Sequence, residues 1–438
     1  MKYGYLPYRD FFDGKGPYLF FLEYIGQLIC EGRTGAFIIQ SVLFCVAMLF
    51  FDETIGVGRK QRSVFEVFLL LPVYLMAIFS VGGGGLTEDL SLLPISVCLF
   101  LGVRYLNGEK KHSPLFALVY GAAFGILSFL RINNSAEICA VVLTIFIVLV
   151  SRREWKNIFY NIIAFVVGFI LAILPVILFY MSQHILSDML YQVFIYGWKY
   201  SKLVKQSGLV SLFTGAYRLS VLPIGIGLVA SLVFFEKRNW QSTLLIWISS
   251  IAAVMAVSIS GRNFEHYYVL FLPVVVLDVW YLRSMMINTK KWKKFLSIAF
   301  TIVYVISFWG IGKLDFDYMD KNVINEIDST TDNSIMDASS NIGEGTVYCW
   351  TPNPRWYSVA GRFPSFKHCY WHNDQMNTDP AIRDELSDMF LNNPPDWLVL
   401  ENNDNELPDF VTQSVDTYFV EVYENDYWIV YKNSNSQW

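Results

Sequence analysis

Ten apolar stretches alternate with short polar turns as far as residue 311: 36–51, 64–81, 90–105, 114–130, 136–150, 158–181, 210–235, 242–259, 267–285 and 295–311. A helix that crosses a bilayer needs about 20 mostly apolar residues. The pattern therefore predicts a membrane helix for each stretch, several of them short. An eleventh stretch, 17–30, carries Glu23 and Gln27 and ends at the polar turn Glu31-Gly32-Arg33-Thr34. It reads as a helix lying in the interface, with a true span as the alternative.

Beyond residue 311 the pattern changes. The chain becomes acidic and rich in Asn and Asp, and short apolar runs replace the long ones. Strands are predicted at 346–350 and 397–400. A hairpin is predicted at 418–423 and 427–432, where β-branched and aromatic residues flank a turn-prone Asn-Asp. Residues 379–392 have helical spacing and stop before Pro394-Pro395. The fold class expected is a polytopic α-helical membrane protein, with about ten spans plus an interfacial helix and a small C-terminal extracytoplasmic α/β domain. The boundary is expected near residue 313: a transmembrane domain over 1–313, with 1–34 as an outer loop carrying the interfacial helix, and the α/β domain over 314–438.

Composition supports the bilayer. Of the 438 residues, 54% are hydrophobic and only 16% are charged, against about 25% in an average soluble domain. Basic residues gather in alternate short loops: Arg59, Lys60 and Arg62; Arg104, Lys110 and Lys111; Arg152, Arg153 and Lys156; Lys237 and Arg238; and Lys290, Lys291, Lys293 and Lys294. The positive-inside rule puts these loops in the cytoplasm. Residues 82–89, 131–135, 182–209 and 260–266 then face outward, although the third of these carries Lys199, Lys202 and Lys205. With 17–30 in the interface, the opening loop is outside, and so is everything after the last span. Basic residues dispersed in this way give no nucleic-acid surface. Cys30, Cys45, Cys98 and Cys139 lie in apolar stretches, as small hydrophobes do. Cys349 and Cys369 fall in the polar part, where they either pair or stay free.

Candidate chemistry gathers at the outer ends of the spans. The opening loop supplies Arg9, Asp10, Asp13 and Lys15. Residues 82–89, GGGGLTED, supply Glu88 and Asp89. Arg131 stands where one stretch emerges, and SGRNFEHYYVLFLP supplies Arg262, Glu265 and His266 just before another. Each has a plainer reading. Arg131 snorkels to head groups, Glu88 and Asp89 begin a helix whose dipole favours them, and His266 is an interfacial histidine. The four glycines form a turn and not a phosphate loop, since no Lys-Ser/Thr follows. Asp278, buried within a span, is costly and calls for a structural partner. Taken together, Lys15, Arg131 and Arg262 converge with several carboxylates on one leaflet above a hydrophobic bundle. That combination suits a lipid-linked phosphate: cations hold the anion, the bundle takes the prenyl chain, and a carboxylate activates a nucleophile.

The segment PYRDFFDGKGPYLFFLEYIGQL resembles the one that follows the first helix in the GT-C superfamily of polyprenyl-phosphate-dependent glycosyltransferases. Within that superfamily the pattern is similar to the bacterial envelope sugar transferases of the family 39 kind, the aminoarabinose transferases and the protein O-mannosyltransferases. GLTEDLSLL, GRNFEHYYVLFLP and PPDWLVLEN look like later motifs of the same superfamily, in the same order. The resemblance implies a glycosyltransferase of the plasma (inner) membrane. Its donor would be a polyprenyl-phosphate sugar and its acceptor an envelope glycan, lipid or protein, with membrane lipids around it, no nucleotide and no nucleic acid. In some members there is a divalent cation; no cofactor is read from this sequence itself. Lys15 would contact the donor phosphate, and Arg262 and His266 match the loop that closes the site. Arg9, Asp10 and Asp13 match the first-loop pattern in type.

Relatives carry a leading span and an acidic Asp-Glu motif before this segment, and here neither precedes residue 17. The expectation is a misplaced or shortened start. If the chain is active as it stands, Asp10 or Asp13 serves as base, with Arg9, Lys15, Glu88, Arg131, Arg262 and His266 binding substrate. A non-catalytic lipid-binding membrane protein is the alternative, and a transporter the third. A transporter would show inverted repeats and broken helices, and the spans show neither.

Overall fold

The computed structural model describes residues 4–30, 32–58, 64–77, 86–108, 111–203, 218–237, 239–259, 265–288, 291–310, 313, 329–352, 354–403 and 406–435. The chain packs as two compact units. One comprises Lys15–Gln183 and Val204–Val323; the other comprises Met1–Gly14, His184–Leu203 and Ile324–Trp438.

Among the described residues of the first unit the regular structure is helical. Its helices are α1 (Pro17–Ile29), α2 (Arg33–Gly56), α3 (Val64–Ala77), α4 (Thr87–Leu106), α5 (Pro114–Arg131), α6 (Ala136–Ser151) and α7 (Trp155–Ser182). Two short helices of the other unit, α8 (Leu186–Leu190) and α9 (Gly197–Leu203), come next in the chain. The first unit resumes with α10 (Arg218–Val233), α11 (Trp240–Ser258), α12 (Leu272–Asn288) and α13 (Lys291–Ser307). Each of the ten predicted stretches is helical where it is described. Among the described residues six helical segments are long and apolar enough to cross a membrane, and Val221–Val233 is a shorter apolar helix.

Burial runs against hydropathy in a way that only a lipid environment explains. The α7 segment has the highest mean hydropathy, 3.1, yet only 6% of it is buried; the segment His266–Met286, at 1.7, is 94% buried. In water the most apolar helix would be the central one. Here α12 is the axis, with residues such as Val276 and Leu277 at 0% exposure, while Phe159, Ile163, Ile170 and Leu174 of α7 face outward. The chain is an integral membrane protein.

Glycines set the closest helix approaches. A Cβ on Gly121 of α5 would lie 1.9 Å from the carbonyl oxygen of Phe165, and one on Gly168 of α7 would lie 2.0 Å from that of Leu118. Small residues bring α5 and α7 backbone to backbone, as membrane helices do where packing replaces the hydrophobic effect. Gly26 of α1 and Gly35 of α2 meet in the same way. At 13 residues, α1 is about 20 Å long, short of a hydrocarbon core about 30 Å thick. Asp278 in α12 has the structural partner its burial demands, since the Tyr304 hydroxyl of α13 donates to it at 3.0 Å.

The second unit is built on a four-stranded sheet of order β1-β2-β4-β3. The strands are β1 (Val347–Trp350), β2 (Trp397–Glu401), β3 (Phe419–Glu424) and β4 (Trp428–Asn433). β1 and β2 are parallel and the other pairs antiparallel. Around the sheet lie α14 (Ser329–Ser340), α15 (Arg355–Ala360), α16 (His372–Thr378), α17 (Pro380–Asn392) and α18 (Asp409–Tyr418). Alternate strand residues feed two cores. Tyr348, Leu398 and Leu400 join Leu386, Phe390 and Phe410 on one face, and Cys349, Val399 and Val430 join Ile335 and Trp356 on the other. Phe12 and Tyr196 belong to the first of these cores, which is why residues 1–14 and 184–203 pack in this unit. Cys349 and Cys369 are both free and buried. Burial pushes the Cys369 thiol up to about 12, so it stays protonated and unreactive.

Candidate functional site

Four residues singled out from the sequence come together in the helical unit. Glu88 begins α4 and Arg131 ends α5, and the Arg131 Nη1 lies 2.6 Å from Glu88 Oε1. The Glu88 side chain is 1% exposed and the Arg131 side chain 32%, so a partly exposed arginine stands above a buried counter-ion. Thr87 donates to the other oxygen of Glu88 at 2.9 Å. Arg131 Nη2 donates to the Tyr267 hydroxyl, and its guanidinium carbon stands 4.7 Å from the centre of that ring. A guanidinium pinned by a carboxylate, a phenol and a π-face has one orientation. His266 packs edge-on against Tyr267 at 4.6 Å and is within electrostatic range of Glu88, Arg131 and Lys15.

Local structure explains this convergence. The Gly16 N–H donates to the Leu130 carbonyl at 3.0 Å, and a Cβ at Gly16 would lie 2.1 Å from the Phe129 carbonyl oxygen. Only glycine lets the loop lie against the end of α5, and this seats Lys15 next to Arg131. Residues Glu265–Phe271 form a 3-10 helix where a continuous α-helix was expected. Pro273 in the first turn of α12 has no N–H to extend the α pattern backward. The tighter 3-10 turn precedes it, and it carries His266 and Tyr267.

Beneath the arginine lies a layer of buried polar groups. Asn134 donates to the Thr87 carbonyl at 3.2 Å and to Ser91 Oγ at 2.8 Å, tying the turn after α5 to the start of α4. Gln40 of α2 donates to Asp89 at 2.8 Å. Glu88 and Asp89 thus begin a helix, as the plainer reading had it, and Glu88 also holds Arg131. Sequence reasoning missed Tyr267; its position beside His266 before a span was the only signal.

Arg9, Asp10 and Asp13 belong to the other unit. Arg9 Nε and Nη2 donate to the two Asp10 oxygens at 3.0 and 2.7 Å, and the Leu6 N–H donates to Asp10 at 2.6 Å. Burial acts to raise the Asp10 carboxyl, but the Arg9 guanidinium and the Leu6 N–H outweigh it and hold the group below the ordinary carboxylate range. Asp10 closes the loop on which it stands. Asp13 is half-buried and within electrostatic range of Tyr370. Arg262 and the glycines 82–85 lie outside the described residues. Among the described residues no group of three or more His, Cys, Asp or Glu is placed to hold a metal ion.

The fold has solved counterparts. The chain is similar to the crystal structure of ArnT from Cupriavidus metallidurans bound to undecaprenyl phosphate, with a TM-score of 0.57 and 12% sequence identity, covering 97% of this chain and 89% of that one. The apo structure of the same protein gives 0.56 and 12%, covering 96% and 88%. At this identity the likeness is one of fold, and the expected polytopic helical membrane fold with a small α/β unit is ArnT-like. No curated protein matches the chain. The family model that describes the competence-induced protein Ccs4 N-terminal domain matches residues 1–297.

Proposed function

We propose, for a chain that belongs to the family of the competence-induced protein Ccs4 N-terminal domain, a function as a membrane glycosyltransferase of the GT-C kind. It moves a sugar from a polyprenyl phosphate to an envelope glycan, lipid or protein, in the plasma (inner) membrane, with the stretch from residue 314 onward on the outer face. The observation that carries this reading is Arg131, held on buried Glu88 and Tyr267 with Lys15 and His266 in electrostatic range. A phosphate monoester or diester suits that cradle: Arg131 offers a fixed fork and Lys15 an exposed ammonium. The ArnT structure bound to undecaprenyl phosphate has the same fold. Arg262 is assigned to the same phosphate. Asp13, two residues before Lys15 in the chain, is assigned the role of base for the acceptor hydroxyl, since Asp10 is engaged by Arg9.

Undecaprenyl phosphate binding to the purified chain, measured by native mass spectrometry, tests the cradle. Removing Arg131 alone would leave Glu88 buried and uncompensated, so the informative variant is Arg131→Gln with Glu88→Gln. That pair keeps the polar contact, and its affinity for undecaprenyl phosphate is expected to fall at least about tenfold, the loss of one charge-assisted bond. An unchanged affinity sinks the proposal. A second expected result concerns the loop. Gly16→Ala sets a methyl against backbone atoms of α5, displaces Lys15, and should weaken binding by a similar factor with the fold retained.

The ion pair on Asp10 also favours a second reading, a lipid-binding protein without transferase activity. Tight binding of undecaprenyl phosphate with no sugar transfer from any hexosyl or pentosyl undecaprenyl phosphate would establish that reading.

A further inference from the structure

We propose that His368 is a positioning residue. Bonded through its two ring nitrogens to Gln375 and Glu385, it holds the loop 367–370 in place to receive the amino-terminal segment that carries Asp13. The role of Asp13 as base rests on the function proposed above; the latch itself does not.

Hydrogen bonds at both nitrogens fix the orientation of the ring. His368 is 1% exposed. Its Nδ1 lies 2.8 Å from Gln375 Oε1, and Gln375 Nε2 donates to the Tyr370 carbonyl at 2.9 Å. A carbonyl only accepts, so the amide is oriented with its oxygen toward the ring. Nε2 faces Glu385 Oε2 at 3.2 Å, the oxygen that Lys367 Nζ meets at 2.6 Å. The His368 bond first, then Lys367 against the opposing effect of burial, push the Glu385 carboxyl down to about 2.

What this buried ring organises is the docking of residues 8–13. The Lys367 carbonyl accepts the Phe12 N–H at 2.8 Å, and the Phe12 ring packs 4.8 Å from the imidazole. Gln375 holds the Tyr370 backbone, and the Tyr370 side chain is within electrostatic range of Asp13. On the other side Gln192 accepts the Asp13 N–H at 3.1 Å and donates to the Tyr8 carbonyl at 2.8 Å. His368 therefore stands, through its ring contact with Phe12 and its bond to Gln375, behind the loop 367–370 on which the segment rests. Such linked bonds rigidify the groups they join when every member is satisfied.

Hydrogen–deuterium exchange of the full chain in lipid nanodiscs tests the latch without any substrate. His368→Gln keeps one donor and should speed exchange of the Phe12 and Asp13 amides about tenfold, the loss of one buried bond. The amides of β2 and β4 should keep their protection. Unchanged exchange at Phe12 and Asp13 overturns the proposal, and so does an equal rise in β2, which would make His368 a residue of the general core. Tyr370→Phe removes one hydroxyl. It should lower kcat for transfer from undecaprenyl-phosphate hexose or pentose donors, with KM unchanged. An unchanged kcat overturns the link to Asp13. Absence of transfer by the wild-type chain overturns the transferase reading alone, because the exchange experiment decides the latch independently.

Discussion

Gly121→Ala and Gly168→Ala should each lower the thermal unfolding midpoint of the detergent-purified chain, and the double variant should not yield folded protein. At both positions the added carbon meets a backbone carbonyl of the facing helix, at 1.9 Å from Phe165 and 2.0 Å from Leu118. Contacts under about 3 Å with backbone cannot be relieved by a rotamer change, so α5 and α7 must separate. Overpacking of this kind costs about 3 kcal/mol or more where the backbone itself must move. The separation also breaks the bond from the Tyr18 hydroxyl to the Ala172 carbonyl, 2.5 Å long, which fastens α1 to α7. Since α5 ends in Arg131, each single variant should in addition bind undecaprenyl phosphate more weakly than the wild type. Gly225→Ala is the control: it is also a helical glycine of an apolar span, but a Cβ there meets nothing within 4 Å. Alanine favours the helix over glycine, so this variant should melt at or slightly above the wild-type midpoint. Equal midpoints for Gly121→Ala and Gly225→Ala would show that α5 and α7 do not meet at these glycines.

The helices were legible because a bilayer imposes one requirement, about 20 apolar residues in register with a helix, and a linear reading detects it. The strands at 347–350, 397–401 and the closing hairpin were legible for a related reason. Their residues are apolar on both faces or alternate around a turn signal, and no long-range fact is needed to see it. What the sequence does not contain is partnership. Arg131 and Glu88 were both visible as charges at the ends of spans, yet their pairing joins residues 43 positions apart, and each alone had a bland reading. Tyr267 carried no signal beyond its neighbour His266, because its role comes from a 3-10 turn set by Pro273. His368 and Tyr370 sat in an aromatic-rich stretch that reads as core, and Phe12 in a loop that reads as surface. Their contacts link residues more than 350 positions apart. Periodicity cannot record such a contact.

A last expected result follows from His372, stacked on Trp350 at 4.1 Å with the rings 12° from parallel. It is 3% exposed and its Nε2 is buried without a partner. Burial first, then the neighbouring charge of His368, push its imidazole down to about 3, with a hydrogen bond to the His368 backbone opposing. In the unfolded chain the same group titrates near 6.5. Above that value the ring is neutral in both states and its contribution is complete. Between 6.5 and about 3 the unfolded chain takes up a proton that the folded chain refuses, so stability falls as the pH falls. The full drop is on the order of 5 kcal/mol. Glu385 adds a smaller loss at lower pH. Its carboxyl is held at about 2 but is 44% exposed, so screening limits its share to about 1 kcal/mol, lost between roughly pH 4.3 and 2. His372→Phe preserves an aromatic ring against Trp350 and removes the titrating nitrogens. Thermal midpoints of the full chain, followed by tryptophan fluorescence from pH 7.5 down to 4.5, should fall steeply for the wild type and stay nearly level for His372→Phe. Parallel curves would mean that the folded chain accepts the proton at this ring, and with it that His372 is neither buried nor neutral.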